Sequence, residues 1–233
     1  MKKIHRFLID QYIPSEGNIT ITNTEVVHII SSVLRIAPGE QVIFFSNGSP
    51  DFHTTLTSVT KKGITGDVVS VFGNYTKPPR ELVVAIAITK NNFDTIVQKL
   101  TELGVQTIVP LISDRVIKKE VRLDRLQKIS NEALEQCGGN TVVHIIEPLS
   151  IEQTLLQYGE YTPYSFDTLN GHAEHKKEAI TYSEKSIIFI GPEGGWSDTE
   201  REYLKEHTTV LSLGARILKA DTAAIVASYE VLR

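Results

Sequence analysis

Over residues 81–233, short apolar runs of β type alternate with helical periodicity six times, and this rhythm constrains the fold more than any other feature. The β-type runs fall at 82–88, 105–112, 141–146, 161–166, 186–190 and 208–213. The helical patterns fall at about 92–103, 122–137, 150–158, 173–182, 198–207 and 221–232. In the second of these, Leu123, Leu126, Ile129, Ala133, Leu134 and Cys137 recur at three- and four-residue steps before Gly138-Gly139 stops the helix. Strands separated by helices are expected to lie parallel in an α/β sheet, whose ligands bind beyond the carboxyl ends of the strands.

Residues 1–76 have a different rhythm. One helix is expected from Thr24, an N-cap candidate, with Val26, Val27, Ile29, Ile30, Val33 and Leu34 as its apolar face and Pro38-Gly39 as its stop. Strand-like runs follow at 41–46, 51–59 and 64–72, divided by Asn47-Gly48 and Lys61-Lys62-Gly63. Several strands and one helix in this length suggest a small barrel or half-barrel. Pro78 and Pro79 lack backbone donors and favour extended linker geometry, so two domains are expected, 1–76 and 77–233.

Composition excludes some classes. With 41% hydrophobic and 22% charged residues, the chain is neither collagenous nor disordered. The single cysteine, Cys137, cannot form an internal disulfide, which suits a reducing cytoplasm. No apolar run approaches the roughly 20 residues that span a bilayer. The start, Met1 to Phe7, turns polar at Asp10, so no signal-peptide core is expected. The net charge of −4 hides an uneven distribution: residues 115–128 hold six basic and two acidic side chains. Such a like-signed cluster in an otherwise acidic domain favours phosphate contact over a merely solvated face.

Two segments carry the chemistry. Ile187 to Ile190 reads as a buried strand that runs into Gly191-Pro192-Glu193-Gly194-Gly195, after which Ser197 or Asp198 caps a helix. A glycine-rich turn of this kind brings bare backbone close to a ligand. It is not G-x-G-x-x-G and has no Walker lysine, which weakens dinucleotide and nucleoside-triphosphate readings. The second segment is Leu211-Ser212-Leu213-Gly214-Ala215-Arg216-Ile217-Leu218-Lys219-Ala220-Asp221-Thr222, in which Asp221 or Thr222 could simply cap the last helix. Two glycine-containing loops after C-terminal strands of one sheet are what a shared pocket needs.

Together, Gly191-Pro192-Glu193-Gly194-Gly195 and Leu213-Gly214-x-Arg216-Ile217-Leu218-x-x-Asp221-Thr222-Ala223 resemble the signature of the SPOUT methyltransferases. Within that class the chain is most similar to the bacterial family that methylates N3 of a uridine in 16S ribosomal RNA. His5-Arg6-Phe7 and His28-x4-Val33-Leu34-Arg35-x3-Gly39-Glu40 resemble the family's PUA-like RNA-binding domain. Gln98-Lys99-x2-Glu102-Leu103-Gly104, Pro110-x2-Ser113-Asp114-Arg115 and Glu132-Ala133-x-Glu135-Gln136-Cys137-Gly138 fit the same family in order and spacing. The resemblance implies an α/β protein with an N-terminal PUA-like β-barrel and a C-terminal trefoil knot. It further implies S-adenosylmethionine as cofactor, 16S rRNA or the small ribosomal subunit as partner, and a homodimer.

Mapped by motif, the resemblance assigns cofactor binding to Phe166, Asp167, Ile190, Gly191, Pro192, Glu193, Gly194, Gly195, Leu211, Leu213, Gly214, Ile217 and Leu218. Removing the proton of uracil N3 needs a base, for which Asp221 and Glu193 are the candidates. Arg216 would stabilise the resulting anion through its planar donor fork. Arg6, Arg35, Arg115, Lys118, Lys119 and Arg122 are the expected RNA contacts. No metal is required, and His172-x-x-His175, His144 and His207 read as surface residues. The chain departs from the family at Ala215, Lys219 and Asp221, where proline, arginine and glutamate are usual, and at Gly139, where arginine is usual. Those departures keep a second reading open, a non-catalytic ribosome-assembly factor on the same scaffold, and a third, another rRNA or tRNA target.

Overall fold

The computed structural model describes residues 4–73, 78–116, 120–167 and 181–233. Lys118, Lys119, His172, His175 and the helix expected at 173–182 lie wholly or mostly outside them. The described chain divides into two compact units, one within Met1–Thr76 together with Leu134–Val142, the other within Lys77–Ala133 and Val143–Arg233.

The first unit is built on β1 (His5–Leu8), β2 (Gly17–Ile21), β3 (Gln41–Phe45), β4 (Asp51–Val59) and β5 (Ile64–Phe72), with helix α1 (Thr24–His28) between β2 and β3. The five strands form one mixed sheet in the order β1-β3-β4-β5-β2, with β1 parallel to β3 and the other pairs antiparallel. Strands β3 to β5 follow the expected runs, whereas β1 and β2 were not expected from periodicity. Asn23, not Thr24, caps α1, its side chain accepting from the Glu25 and Val26 amides. The helix then widens into a π-helical turn at Ile29–Val33, with Arg35 beyond it at φ 51°.

Arg6 explains why Leu134–Val142 belongs to this unit. Its Nε and Nη2 donate to both Asp51 oxygens, at 3.1 and 2.8 Å. Nη1 donates to the Leu134 and Glu135 carbonyls and Nη2 to that of Gly139, while the guanidinium lies 4.2 Å from the Phe45 ring centre. The Leu8 amide adds a bond to Glu135 Oε1. Both side chains of the Arg6–Asp51 pair are only 10% exposed. The expectation that Arg6 grips RNA is therefore corrected: its donors are committed within the protein, and a phosphate would have to displace buried partners. A Cβ on Gly139 would stand 2.7 Å from Leu134 Cδ1, so the end of that side chain would have to shift to admit one.

The second unit carries β6 (Glu81–Ala87), α2 (Phe93–Leu103), β7 (Thr107–Leu111), α3 (Leu123–Cys137, whose end belongs to the first unit), β8 (His144–Ile145), α4 (Ile151–Gln157), β9 (Thr162–Phe166), β10 (Lys185–Ile190), α5 (Asp198–His207), β11 (Thr209–Leu211) and α6 (Ala220–Leu232). The sheet is parallel throughout, in the order β11-β9-β10-β6-β7-β8. Alternate residues of β6 and β10 serve two cores. Leu82, Val84, Ile86, Ile188 and Ile190 pack with α2 and α6, while Val83, Ala85, Ala87, Ile187 and Phe189 pack with Trp196 and Leu204. Burial on both faces is why these strands read as continuous apolar runs. Among the described residues, no helix is long and apolar enough to cross a membrane.

Candidate active site

The strand order sets the position of the site. From β6 the chain proceeds outward through β7 to β8, then returns to place β9 and β11 on the far side of β10. The direction of winding thus reverses beside β10 and β6, and a crevice at their carboxyl ends is the expected consequence. A cleft of about 630 Å³ occupies that place. It is lined by the ends of β9 and β10, by the 191–196 turn, by the loop from Ser212 to Lys219 and by residues 89–92 after β6.

The glycine turn is shaped by its neighbours. A Cβ on Gly191 would stand 3.1 Å from the Trp196 ring, which is itself 1% exposed, so the indole lies against bare backbone. Gly195 has φ 68°, a left-handed conformation natural to glycine, and its amide closes a turn onto the Pro192 carbonyl at 2.8 Å. Helix α5 then begins with a full capping box on Ser197 and Glu200. Trp196 Nε1 is buried without a partner among the described residues.

Of the expected cofactor residues, the structure gathers Phe166, Asp167, Ile190, all five residues of Gly191–Gly195, Leu213, Gly214, Ile217 and Leu218 around the cleft. Leu211 is the exception: as the last residue of β11 it is buried in the core shared with α2 and α6. Asp167 has an 8% exposed side chain and accepts from Arg201 Nε at 2.6 Å. That bond, more than the nearby charges, holds the Arg201 guanidinium above its ordinary pKa. Arg216, Asp221 and Glu193 also line the cleft. Arg216 is exposed and makes no hydrogen bond or ion pair among the described residues. Asp221 is half-buried in the first turn of α6, one oxygen accepting from the Thr222 amide at 2.7 Å, and does not cap the helix. Glu193 is exposed at the rim, accepting from the Lys90 amide at 3.3 Å.

Sequence reasoning missed Thr89, Asn91, Asn92, Trp196, Arg201 and Ser212 as lining residues. The Asn91-Asn92 pair after an apolar run was a visible turn signal, but its adjacency to β10 depends on sheet order. A second cleft of about 380 Å³ shares Thr89, Asn91 and Asn92 with the first and is lined by Lys90, Arg122 and Arg125, along with Asp94 and Glu120.

The expected RNA contacts among the described residues fall in both units. Arg35 is exposed in the first unit. Arg122 is exposed in the second, paired with Asp124 at 2.8 Å. Arg115 donates to the Gly194 carbonyl at 2.7 Å and so belongs with the glycine turn. Among the described residues no cluster of three or more His, Cys, Asp or Glu side chains could hold a metal ion.

Comparison with known proteins converges on the same part of the chain. The family described as RNA methyltransferase domain matches residues 76–231. The small subunit ribosomal RNA methyltransferase E of Rickettsia conorii is 28% identical, covering 98% of this chain and 95% of its own length. Its namesake in Bacillus subtilis is 28% identical over 94% and 91%. Among solved structures, methyltransferase E of Neisseria gonorrhoeae bound to S-adenosylmethionine superimposes with a TM-score of 0.87 at 26% identity, over 97% of this chain and 95% of that one. A methyltransferase of Legionella pneumophila, solved with the same cofactor, gives 0.85 at 26% identity, over 97% and 96%.

Proposed function

The chain belongs to the RNA methyltransferase domain family, and from that premise we propose that it transfers a methyl group from S-adenosylmethionine to N3 of a specific uridine in 16S rRNA. The observation that carries the reading is the cleft itself: two strand-to-helix loops and the end of β9 converge on one cavity at the carboxyl edge of a parallel sheet. The residues fit the cofactor. Gly191 leaves backbone flush against the buried indole of Trp196, and Leu213 and Leu218 supply apolar wall. When bound, S-adenosylmethionine supplies an electrophilic methyl for an in-line displacement.

The chain's own residues supply alignment and charge. Arg216, exposed at the cleft edge and unpaired among the described residues, donates to the anion that spreads over uracil O2 and O4 once N3 loses its proton. Asp221 receives that proton: it is half-buried in the same loop-to-helix junction, whereas Glu193 stands exposed at the rim. The two walls exclude water from the reacting atoms once the donor fills them.

The rRNA target is supported by the relatives' names. A PUA-like role for the first unit and a knotted course through the 191–219 loops rest on the sequence motifs. A homodimer in the cytoplasm completes the reading, supported by the half-buried Ile225 and Val226 and the 55% exposed Tyr229 on α6. The test incubates the purified protein with small ribosomal subunits or 16S rRNA and isotopically labelled S-adenosylmethionine, followed by nuclease digestion and mass spectrometry. Labelled 3-methyluridine is expected. Label on another nucleoside overturns the target, and no label on either substrate overturns the methyltransferase reading.

A further inference from the structure

The loop that follows β7 reaches the glycine turn at one point and the capping box behind it at two. Arg115 Nη1 donates to the Gly194 carbonyl at 2.7 Å. Asp114 accepts from the Ser197 hydroxyl at 2.6 Å, and its amide donates to Glu200 Oε1 at 3.0 Å. Glu200, 9% exposed, holds the Ser197 amide with its other oxygen at 2.8 Å. The loop is itself anchored, because the Val116 amide closes onto the Ser113 carbonyl at 3.0 Å, the Ile112 amide bonds to Leu149, and Val116 is buried.

The peptide between Gly194 and Gly195 is therefore fixed at both ends. Its N–H points to Pro192 and its carbonyl to Arg115. Paired glycines have more backbone freedom to lose than any other residues, and a ligand that must order them loses affinity in proportion. A turn ordered beforehand avoids that loss. The arginine stem lies over the turn as well, since a Cβ on Gly194 would meet Arg115 Cδ at an ordinary 3.5 Å.

We infer that Arg115 is a positioning residue of the methyl-donor site, preordering the Gly191–Gly195 turn through the Gly194 carbonyl, and is not a grip on RNA. The inference rests on S-adenosylmethionine being the ligand of this cleft. It departs from the reading of Arg115 as part of a basic RNA-facing run, because the guanidinium is engaged by the carbonyl of Gly194, a residue of the turn that lines the cleft.

Calorimetric titration of S-adenosylmethionine into wild type, Arg115→Ala and Arg115→Lys, all without RNA, tests it. Arg115→Ala is expected to raise the donor Kd about tenfold, the scale of one charge-assisted hydrogen bond. Arg115→Lys, which keeps a charged donor without the planar fork, is expected to recover part of that loss. In steady state the KM for donor rises while kcat at saturating donor and KM for RNA hold, the signature of ground-state positioning. Unchanged melting temperatures separate this from general destabilisation, as the side chain is exposed. An unaltered donor Kd in Arg115→Ala overturns the role, most directly if RNA affinity falls instead. Failure of the wild type to bind the donor overturns both the cofactor reading and this role, so the two failures are distinguishable.

Discussion

Between β10 and α5 the chain turns on backbone held from several sides, whereas between β11 and α6 it crosses the same cleft with little to hold it. The first loop has an indole against Gly191, an arginine on Gly194, and a capping box tied to the β7 loop. Among the described residues the second is held locally by Ser212 Oγ, which bonds with the amide and carbonyl of Gly214 at 3.3 and 3.2 Å. It leaves Arg216 unpaired among the described residues, and Ile217 is 85% exposed. The contrast separates two tasks. A ligand needs one rigid wall to be recognised against, and reacting groups need freedom to meet an acceptor that arrives later.

The largest effect should come from the free wall. Arg216→Ala removes a cation with no structural partner among the described residues, so folding is expected to be unaffected. If the guanidinium stabilises charge that develops only during reaction, kcat falls about 100-fold or more while donor Kd holds. Rate assays paired with calorimetry check this, and a loss confined to donor Kd would merge the two walls into one task.

Gly191→Val is the counterpart on the rigid wall. The new side chain must enter space that begins 3.1 Å from the Trp196 ring, and that ring is sealed in the core beneath α5. Overpacking of this kind costs about 1–3 kcal/mol, and the turn must shift to accommodate it. Donor Kd is expected to rise about tenfold or more with a lower melting temperature, measured by calorimetry and thermal denaturation. A stable variant with normal donor binding would show that the indole does not shape this wall.

The contrast also tracks what could be read from residues alone. The glycines of the rigid turn and the Leu213–Asp221 run stood out because each breaks an otherwise periodic apolar pattern. Helices α2 and α3 fall on stretches where apolar residues repeat at helical spacing, a local signal, whereas α6 is a nearly continuous apolar run. What holds the rigid turn was not legible. Arg115, Asp114 and Trp196 act through tertiary contacts, and Arg115 looked like one more cation in a basic run. The same blindness assigned Arg6 to RNA, since nothing local announces that Asp51 and three carbonyls up to 133 residues away take its donors. Strands β1 and β2 were not legible because each holds only two apolar side chains, Phe7 and Leu8 in one and Ile19 and Ile21 in the other.

The smallest expected effect probes the free wall from its apolar side. Ile217 is too exposed to contribute a core contact, so Ile217→Ser should move stability by no more than about 0.5 kcal/mol, the range of ordinary surface changes. A large apolar side chain left in water beside a cleft nonetheless gains if a bound ligand covers it. Full burial of such a side chain is worth about 1.5–3 kcal/mol, and partial coverage by a donor correspondingly less. Donor Kd should therefore rise about threefold, close to 0.7 kcal/mol, without a change in melting temperature. Thermal denaturation with and without S-adenosylmethionine reads both numbers from one sample. If Ile217→Ser binds the donor as the wild type does, the isoleucine is not part of the donor wall. Its exposure would then await the RNA or a second copy of the chain, and the free loop would owe its openness to that partner.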